Sequence, residues 1–244
     1  MMVDLDLSSL NVAVIGAGAV AARKIARFDA LPRRLFIVSP EISRELLFQV
    51  GRLLEDYDPE VIKGVDAIGC ADQILLSIQG NLEDNSKDIE LRFGPIEIRL
   101  GEYNEGDLDG IDYVVVCTDK HELNDSITKA ALSGKVLVNN TSDFRSSTVR
   151  NVAVRALENF SVGVSSHRPV PAVSDWVCDG LVRSMDPSLD KFIEACASIR
   201  ETLKMEKVSL SRGAWSRVLE SGAFDFMKMG ETDLAISEIY KCLS

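Results

Sequence analysis

Gly16 and Gly18, with Ala21 three residues further on, form the spacing Gly-x-Gly-x-x-Ala. A first glycine permits a tight turn, a second lets the backbone approach an anion closely, and a small third residue keeps a following helix near its strand. The chemistry that this turn serves is the cradling of a dinucleotide pyrophosphate by backbone N–H groups, which makes Gly16, Gly18, Ala19, Val20 and Ala21 candidate cofactor ligands. A tight strand-to-helix connection that binds nothing has the same spacing. An acidic residue that would bond the adenine ribose is missing from the end of the next apolar run, where Ser39 stands, with Glu41 two residues beyond. Arg33, Arg34 and Arg44 are near enough in sequence to meet a 2′-phosphate instead. NAD and NADP both stay open.

The elements that must position this turn are legible. Residues 11–15 are a short apolar run ending directly in glycine, as a buried parallel strand does. Arg23, Lys24 and Arg27 then recur at helical spacing among alanines. Residues 34–38 form a second strand closed by Ser39-Pro40, and a helix over about 41–54 should follow. Residues 112–117 are a further strand, with Thr118 or Asp119 as N-cap of a helix ending near Gly134, and residues 135–139 supply the next strand. Strands alternating with helices at these distances imply βαβ units and a parallel sheet.

Between them, residues 55–93 hold ten acids and three bases, which reads as an acidic insertion partly ordered around the apolar residues 74–78. Residues 148–156 and 160–164 are two further strand-like runs. Beyond Pro171 the apolar spacing turns helical, over 172–185, 187–205, 213–228 and 232–243.

Bulk properties exclude several classes. The net charge of −11 argues against general nucleic-acid binding, which needs clustered bases. No run approaches the ~20 apolar residues of a membrane-spanning helix, and the acids in residues 1–10 do not suit a signal peptide, so the cytoplasm is the expected compartment. Cys70, Cys117, Cys178, Cys196 and Cys242 are scattered with no CxxC pair and only two histidines to join them, the pattern of small buried hydrophobes rather than a zinc knuckle.

The run from Val14 to Lys24, followed by Val38-Ser-Pro-Glu41, resembles the dinucleotide domain of siroheme synthases, the precorrin-2 dehydrogenase/sirohydrochlorin ferrochelatase family. Asp109 to Asp119, Glu122 to Asn124, and Val136 to Asn139 resemble later segments of that family in the same order. The likeness implies an α/β fold: a Rossmann-type domain over 1–145 containing the 55–93 insertion, a strand connector over 146–170 that serves dimerisation, and a helical domain over 171–244. It further implies a homodimer that oxidises a tetrapyrrole, precorrin-2, to sirohydrochlorin with NAD. Some members also insert Fe2+ into the product. Thr118, Asp119, Asn124 and Asn139 join Ser39 and Glu41 as cofactor-binding candidates.

Counting back from Ser165-Ser166, the position of the family's catalytic carboxylate falls on Ser142, and a one-residue slip brings it to Asp143. Asp143 is thus a candidate base, and equally a residue shaping an Asx turn. Ser166 matches a serine near the family's metal position, or else caps the helix after Pro171. His167 could carry a proton or bind a metal, or lie on the surface; His121 is expected to face solvent. No metal ligand set is assignable. Five arginines against four acids between Thr141 and Arg183, in so acidic a chain, mark Arg145, Arg150 and Arg168 as candidates for substrate carboxylates. Interface ion pairs would look the same. The element Val149-Arg-Asn-Val-Ala153 lacks the proline of the family pattern, and His167-Arg168 replaces its Gly-Gly; Ser142 and the missing Gly-Gly motivate a second reading, a tetrapyrrole- or dinucleotide-binding homologue that kept the fold without the reaction.

Overall fold

A computed structural model describes residues 2–55, 67–82, 89–166, 168 and 170–243. Chain contacts fall into two units, Met1–Arg150 and Asn151–Ser244.

In the first unit, β1 (Asn11–Ile15), α1 (Ala19–Ile25), β2 (Arg34–Ser39) and α2 (Arg44–Glu55) are followed by α3 (Ala67–Leu82), β3 (Ile89–Phe93), β4 (Ile96–Leu100), β5 (Tyr113–Val116), α4 (His121–Ser133) and β6 (Leu137–Asn140). The six strands make one sheet of order β3-β4-β2-β1-β5-β6, parallel except for the β3–β4 pair. The strand order reverses between the parallel neighbours β1 and β5, and at such a point the loops from adjacent strands diverge and leave a crevice at the C-terminal edge. The topology is Rossmann-type.

Both sheet faces are packed around the central strands, which is why β1 and β5 are apolar almost throughout instead of alternating. One face carries Val12, Val14, Leu35, Ile37 and Ile98 under α1, α2 and α3. Ala13, Ile15, Val114, Val116 and Val138 pack on the other with Ile127 and Ala131 of α4. Toward β4 and β3 this second face is charged: Arg34 Nε lies 2.9 Å from Glu97 Oε2, Arg92 pairs with Glu97 at 3.5 Å, and buried Arg99 pairs with buried Asp107.

The acidic segment is less of an excursion than its composition suggests. Cys70, Ile74 and Ile78 recur every four residues and bury one stripe of α3 in the core against α2. Residues 89–100 form a hairpin where composition indicated only the end of an acidic insertion, and period-2 alternation flanks Gly94-Pro95 on both sides. Gly94 has φ +57°, a conformation that glycine adopts without steric cost. The N-cap of α4 is Lys120, two residues after Thr118, since Thr118 turns its side chain to Asn124 and to the Lys120 carbonyl instead.

In the second unit, β7 (Ala153–Ala156) and β8 (Ser161–Val164) form an antiparallel pair that packs on α5 (Pro171–Arg183). Their burial alternates, as expected of a sheet covered on one side. The strand-like run expected over 148–156 narrows to 153–156 because Thr148 and Val149 donate instead to the Val138 carbonyl. Then α6 (Leu189–Met205), α7 (Ala214–Glu220), α8 (Ala223–Lys228) and α9 (Thr232–Leu243) share a core of Phe192, Ile199, Val218, Met227 and Ile239. Ser221-Gly222 splits the helix expected over 213–228 in two. Among the described residues no helix is long and apolar enough to cross a membrane.

Candidate functional site

The crevice at the switch point is a cleft of about 700 Å³. Its floor is the turn from Ile15 to Val20, one wall is Val38 to Ser43 after β2, and the other is Cys117 to Lys120 after β5, with Glu102 and Tyr103 closing the side beyond β4.

Two glycines shape the floor differently. Gly16 has φ +101°, and a Cβ there would stand 2.7 Å from the Cys117 carbonyl oxygen, so the turn is pressed directly against the backbone that leaves β5. Its N–H is held by Val38 O at 2.8 Å. Gly18 is the N-cap of α1 with extended backbone, and a Cβ there would meet nothing within 4 Å. The space beside Gly18 therefore lies open to the cleft. The first helical bond is Ala22 N to Gly18 O at 3.1 Å, so the amides of residues 19 and 20, which line the cleft, precede the ladder and are available to an anion. Ala21 is fully buried beneath them. A nicotinamide dinucleotide fits this floor: a concave turn, unpaired N–H groups, and room where a side chain would otherwise stand.

Cys117 lines the cleft, but its Sγ points to the carbonyls of Ile15 and Gly16, both at 3.4 Å. Burial pushes this thiol up to about 12, with Lys24 opposing the shift. It is no nucleophile at neutral pH. Because its ordinary value is 9.0, the folded state keeps a proton that the unfolded chain sheds between pH 9 and about 12. The sign follows: the contribution of Cys117 to stability is complete below pH 9 and disappears as pH rises through about 12. At ~1.4 kcal/mol per pH unit the loss is on the order of 4 kcal/mol. Melting temperatures recorded from pH 8 to 11 should fall along this limb, and Cys117→Ala should flatten it; an unchanged slope in the variant would assign the alkaline loss elsewhere. Tyr103 presents a second shielded group. Its hydroxyl is buried without a partner among the described residues, and burial, followed by Asp107 and Glu105, raises its pKa.

Of the sequence-derived cofactor candidates, Gly16, Gly18, Ala19, Val20, Ser39, Glu41, Thr118 and Asp119 line the cleft. Ala21, which packs beneath the turn, Asn124 and Asn139 do not. Asn124 is 1% exposed and fully engaged: its Oδ1 accepts from Thr118 N at 3.2 Å and Thr118 Oγ1 at 2.6 Å, and its Nδ2 donates to Thr118 O at 3.0 Å and Ser142 Oγ at 3.1 Å. It supports the cleft wall from behind. Asn139 is buried too, donating to Val149 O at 2.7 Å, with its Oδ1 unpartnered among the described residues. Cys117, Tyr103, Lys120 and Leu123 line the cleft without having been singled out in the sequence. Placing the hairpin would have brought Tyr103 into view, because the loop after β4 opens at the same sheet edge.

Ser142 and Asp143 lie just after β6, tied to this framework. Asn140 Oδ1 accepts from Ser142 N at 2.9 Å, Ser142 Oγ at 2.7 Å and Asp143 N at 3.3 Å, and Asn140 Nδ2 donates to Thr128 Oγ1 at 3.1 Å. Asp143 Oδ1 accepts from Arg145 N at 3.0 Å, the geometry of an Asx turn. Arg145 and Arg150 are exposed on the same loop. Ser166 and Arg168 belong to the second unit, where Ser166 Oγ donates to the Arg168 carbonyl. His167 lies outside the described residues. His121 is exposed at the start of α4. Among the described residues no three His, Cys, Asp or Glu side chains gather as a metal site.

Comparisons with known proteins agree with this geometry. The family model described as "Putative NAD(P)-binding" matches residues 3–153. No curated protein matches the chain. Among solved structures, "SirC, precorrin-2 dehydrogenase" superposes with a TM-score of 0.60 at 17% identity, covering 99% of each chain. The shared fold therefore extends over both chains nearly end to end, and the matched model takes in every strand and the whole glycine turn of the first unit. The chain belongs to this NAD(P)-binding family.

Proposed function

We propose that the chain is an NAD-dependent dehydrogenase that oxidises precorrin-2 to sirohydrochlorin. The observation that carries the proposal is the cleft itself: a Gly16–Gly18 floor with free amides at the topological switch point, in a chain whose fold matches precorrin-2 dehydrogenase over its full length. The bound dinucleotide would supply the hydride acceptor. The chain's own residues do the rest. Amides 19 and 20 take the pyrophosphate, Thr118 and Asp119 border the site on the β5 side, and Ser39 and Glu41 border it on the β2 side.

The arginines point to NAD rather than NADP. Arg33 is bonded to Asn11 Oδ1 at 3.1 Å and Arg34 to Glu97, both at the N-terminal edge of the sheet, away from the cleft. Arg44 is paired with Asp72 at 2.9 Å. Glu41 lines the cleft instead, and a carboxylate there accepts bonds from ribose hydroxyls and repels a 2′-phosphate.

Asp143 is assigned as the base that takes the proton released on oxidation, oriented through Asn140 and Ser142, and Arg145, Arg150 and Arg168 as cations for the substrate's carboxylates. Ser166 and His167 are kept as candidate groups of the second unit. A homodimer would form through β7 and β8, which among the described residues pair only with each other. The Asx bond from Arg145 N to Asp143 favours the second reading, a binding homologue without turnover.

One assay separates the two. Purified protein with precorrin-2 and NAD should develop sirohydrochlorin absorbance, NADP should support at most about a tenth of that rate, and Asp143→Asn should lower turnover by about a hundredfold with NAD affinity unchanged. A variant as active as the wild type removes Asp143 as base, and no absorbance change in the wild type removes the dehydrogenase. Adding ferrous iron to the product mixture reads the chelatase step in the same cuvette.

A further inference from the structure

Thr128 stands one turn beyond Asn124 on α4, 3% exposed and not part of the cleft lining. Its Oγ1 donates to the Asn124 carbonyl at 2.7 Å. A hydroxyl carries one hydrogen, so with that hydrogen committed Oγ1 can only accept from any further partner. The group facing it is Asn140 Nδ2 at 3.1 Å. The second, longer bond from Nδ2, 3.4 Å to Ser146 Oγ, also meets a committed hydroxyl, since Ser146 Oγ donates to the Asp143 carbonyl at 2.9 Å. Thr128 therefore selects the amino end of the Asn140 amide, and the carbonyl end must turn the other way. Asn140 is 2% exposed, so bulk water is not there to satisfy the opposite orientation.

The end turned away does the work of the loop after β6. Asn140 Oδ1 accepts from Ser142 N, Ser142 Oγ and Asp143 N together. A reversed amide would set its amino group against those three donors and its oxygen against the lone pairs of Thr128, so both ends would fail at once. With the amide as it stands, Asp143 is held at its backbone N by Asn140 and at its Oδ1 by Arg145 N, and its Oδ2 has no partner among the described residues. One carboxylate oxygen is fixed, and the other is left to meet a proton.

We infer that Thr128 is a positioning residue of the reaction, acting on Asp143 at two removes by fixing which end of the Asn140 amide faces the loop. The part given to Asp143 rests on the dehydrogenase reading; the direction of the hydrogen bonds does not. No cofactor or substrate group touches Thr128 in this arrangement, so its effect must pass through geometry alone.

The test compares the full-length wild type with Thr128→Val, which keeps the branched shape and removes the acceptor, and Thr128→Ser, which keeps the acceptor. Thr128→Val should lower kcat about tenfold with the KM for NAD unchanged, and Thr128→Ser should turn over like the wild type. On an Asp143→Asn background, Thr128→Val should lower turnover no further. Amide hydrogen exchange at Ser142 and Asp143 should run about tenfold faster in Thr128→Val, with exchange across β1 and β5 unchanged. An unaltered kcat in Thr128→Val, an equal fall in both Thr128 variants, or a further fall on the Asp143→Asn background overturns the inference. A wild type that forms no sirohydrochlorin, while the two loop amides still loosen in Thr128→Val, would instead overturn the dehydrogenase and reduce Thr128 to a lock on the loop.

Discussion

Gly16→Ala is expected to unfold or severely destabilise the first unit, whereas Gly18→Ala should melt with the wild type and lose the dinucleotide. At Gly16 a methyl group would stand 2.7, 2.8 and 2.9 Å from Cys117 O, Cys117 C and Thr118 N, and φ is +101°. Those are backbone atoms of the two residues that directly follow the central strand β5, so no side chain can yield. The expected cost is about 3 kcal/mol or more, enough to remove much of the stability of an ordinary domain. At Gly18 a methyl group meets no protein atom within 4 Å and the backbone is extended, so the fold should not register the change. A ligand resting on the residue 19 and 20 amides would. Calorimetric titration of Gly18→Ala with NAD should show affinity reduced by about a hundredfold, on the order of 3 kcal/mol. A Gly18→Ala protein that binds NAD like the wild type would place the cofactor somewhere other than this turn.

Asn124→Ala is expected to have the second-largest effect, and to act on stability and cofactor affinity together. The substitution strips partners from Thr118 N, Thr118 Oγ1, Thr118 O and Ser142 Oγ at a residue only 1% exposed. Leaving buried polar groups unpaired costs ~1–3 kcal/mol each where water cannot enter. Some of these groups keep other partners, Ser142 Oγ through Asn140 and Thr118 Oγ1 through Lys120 O, so a total of about 3 kcal/mol is expected. For a chain of this size that lowers the melting temperature by roughly 10 °C. Thr118 borders the cleft, so NAD affinity should fall as well. Ser142→Ala is the control: it removes only the branch leading to the loop, and should lower the melting temperature slightly while NAD affinity holds. Equal losses of affinity in both variants would mean that Asn124 does not work through Thr118.

The positions of the central strands along the chain could be read from apolar runs because strands buried on both faces have no polar half to obscure them. β1, β2, β5 and β6 fall where those runs do. The hairpin was harder. Its alternation of Ile and Leu with Glu and Arg is the pattern of a strand covered on one side, and surrounding acids made it look like part of a solvated stretch. The glycine turn was legible because glycine at positive φ and glycine beside open space are backbone requirements written directly into residue type. Asn124, Asn139 and Asn140 were not, because hydrogen-bond partners 6 to 18 residues away are a property of packing. Asn139 and Asn140 illustrate the limit: neighbours on one strand, they project to opposite faces, and only Asn140 joins the network that holds Ser142.

The hairpin that ends the sheet also bears on how copies of the chain meet. β3 is an outermost strand with backbone groups on its free side, the ordinary template for runaway strand addition. It carries Glu90 and Arg92 among its five residues, and an incoming strand would have to strip water from both. That margin is thereby guarded against sticky self-recruitment, and crowded copies can remain separate along it.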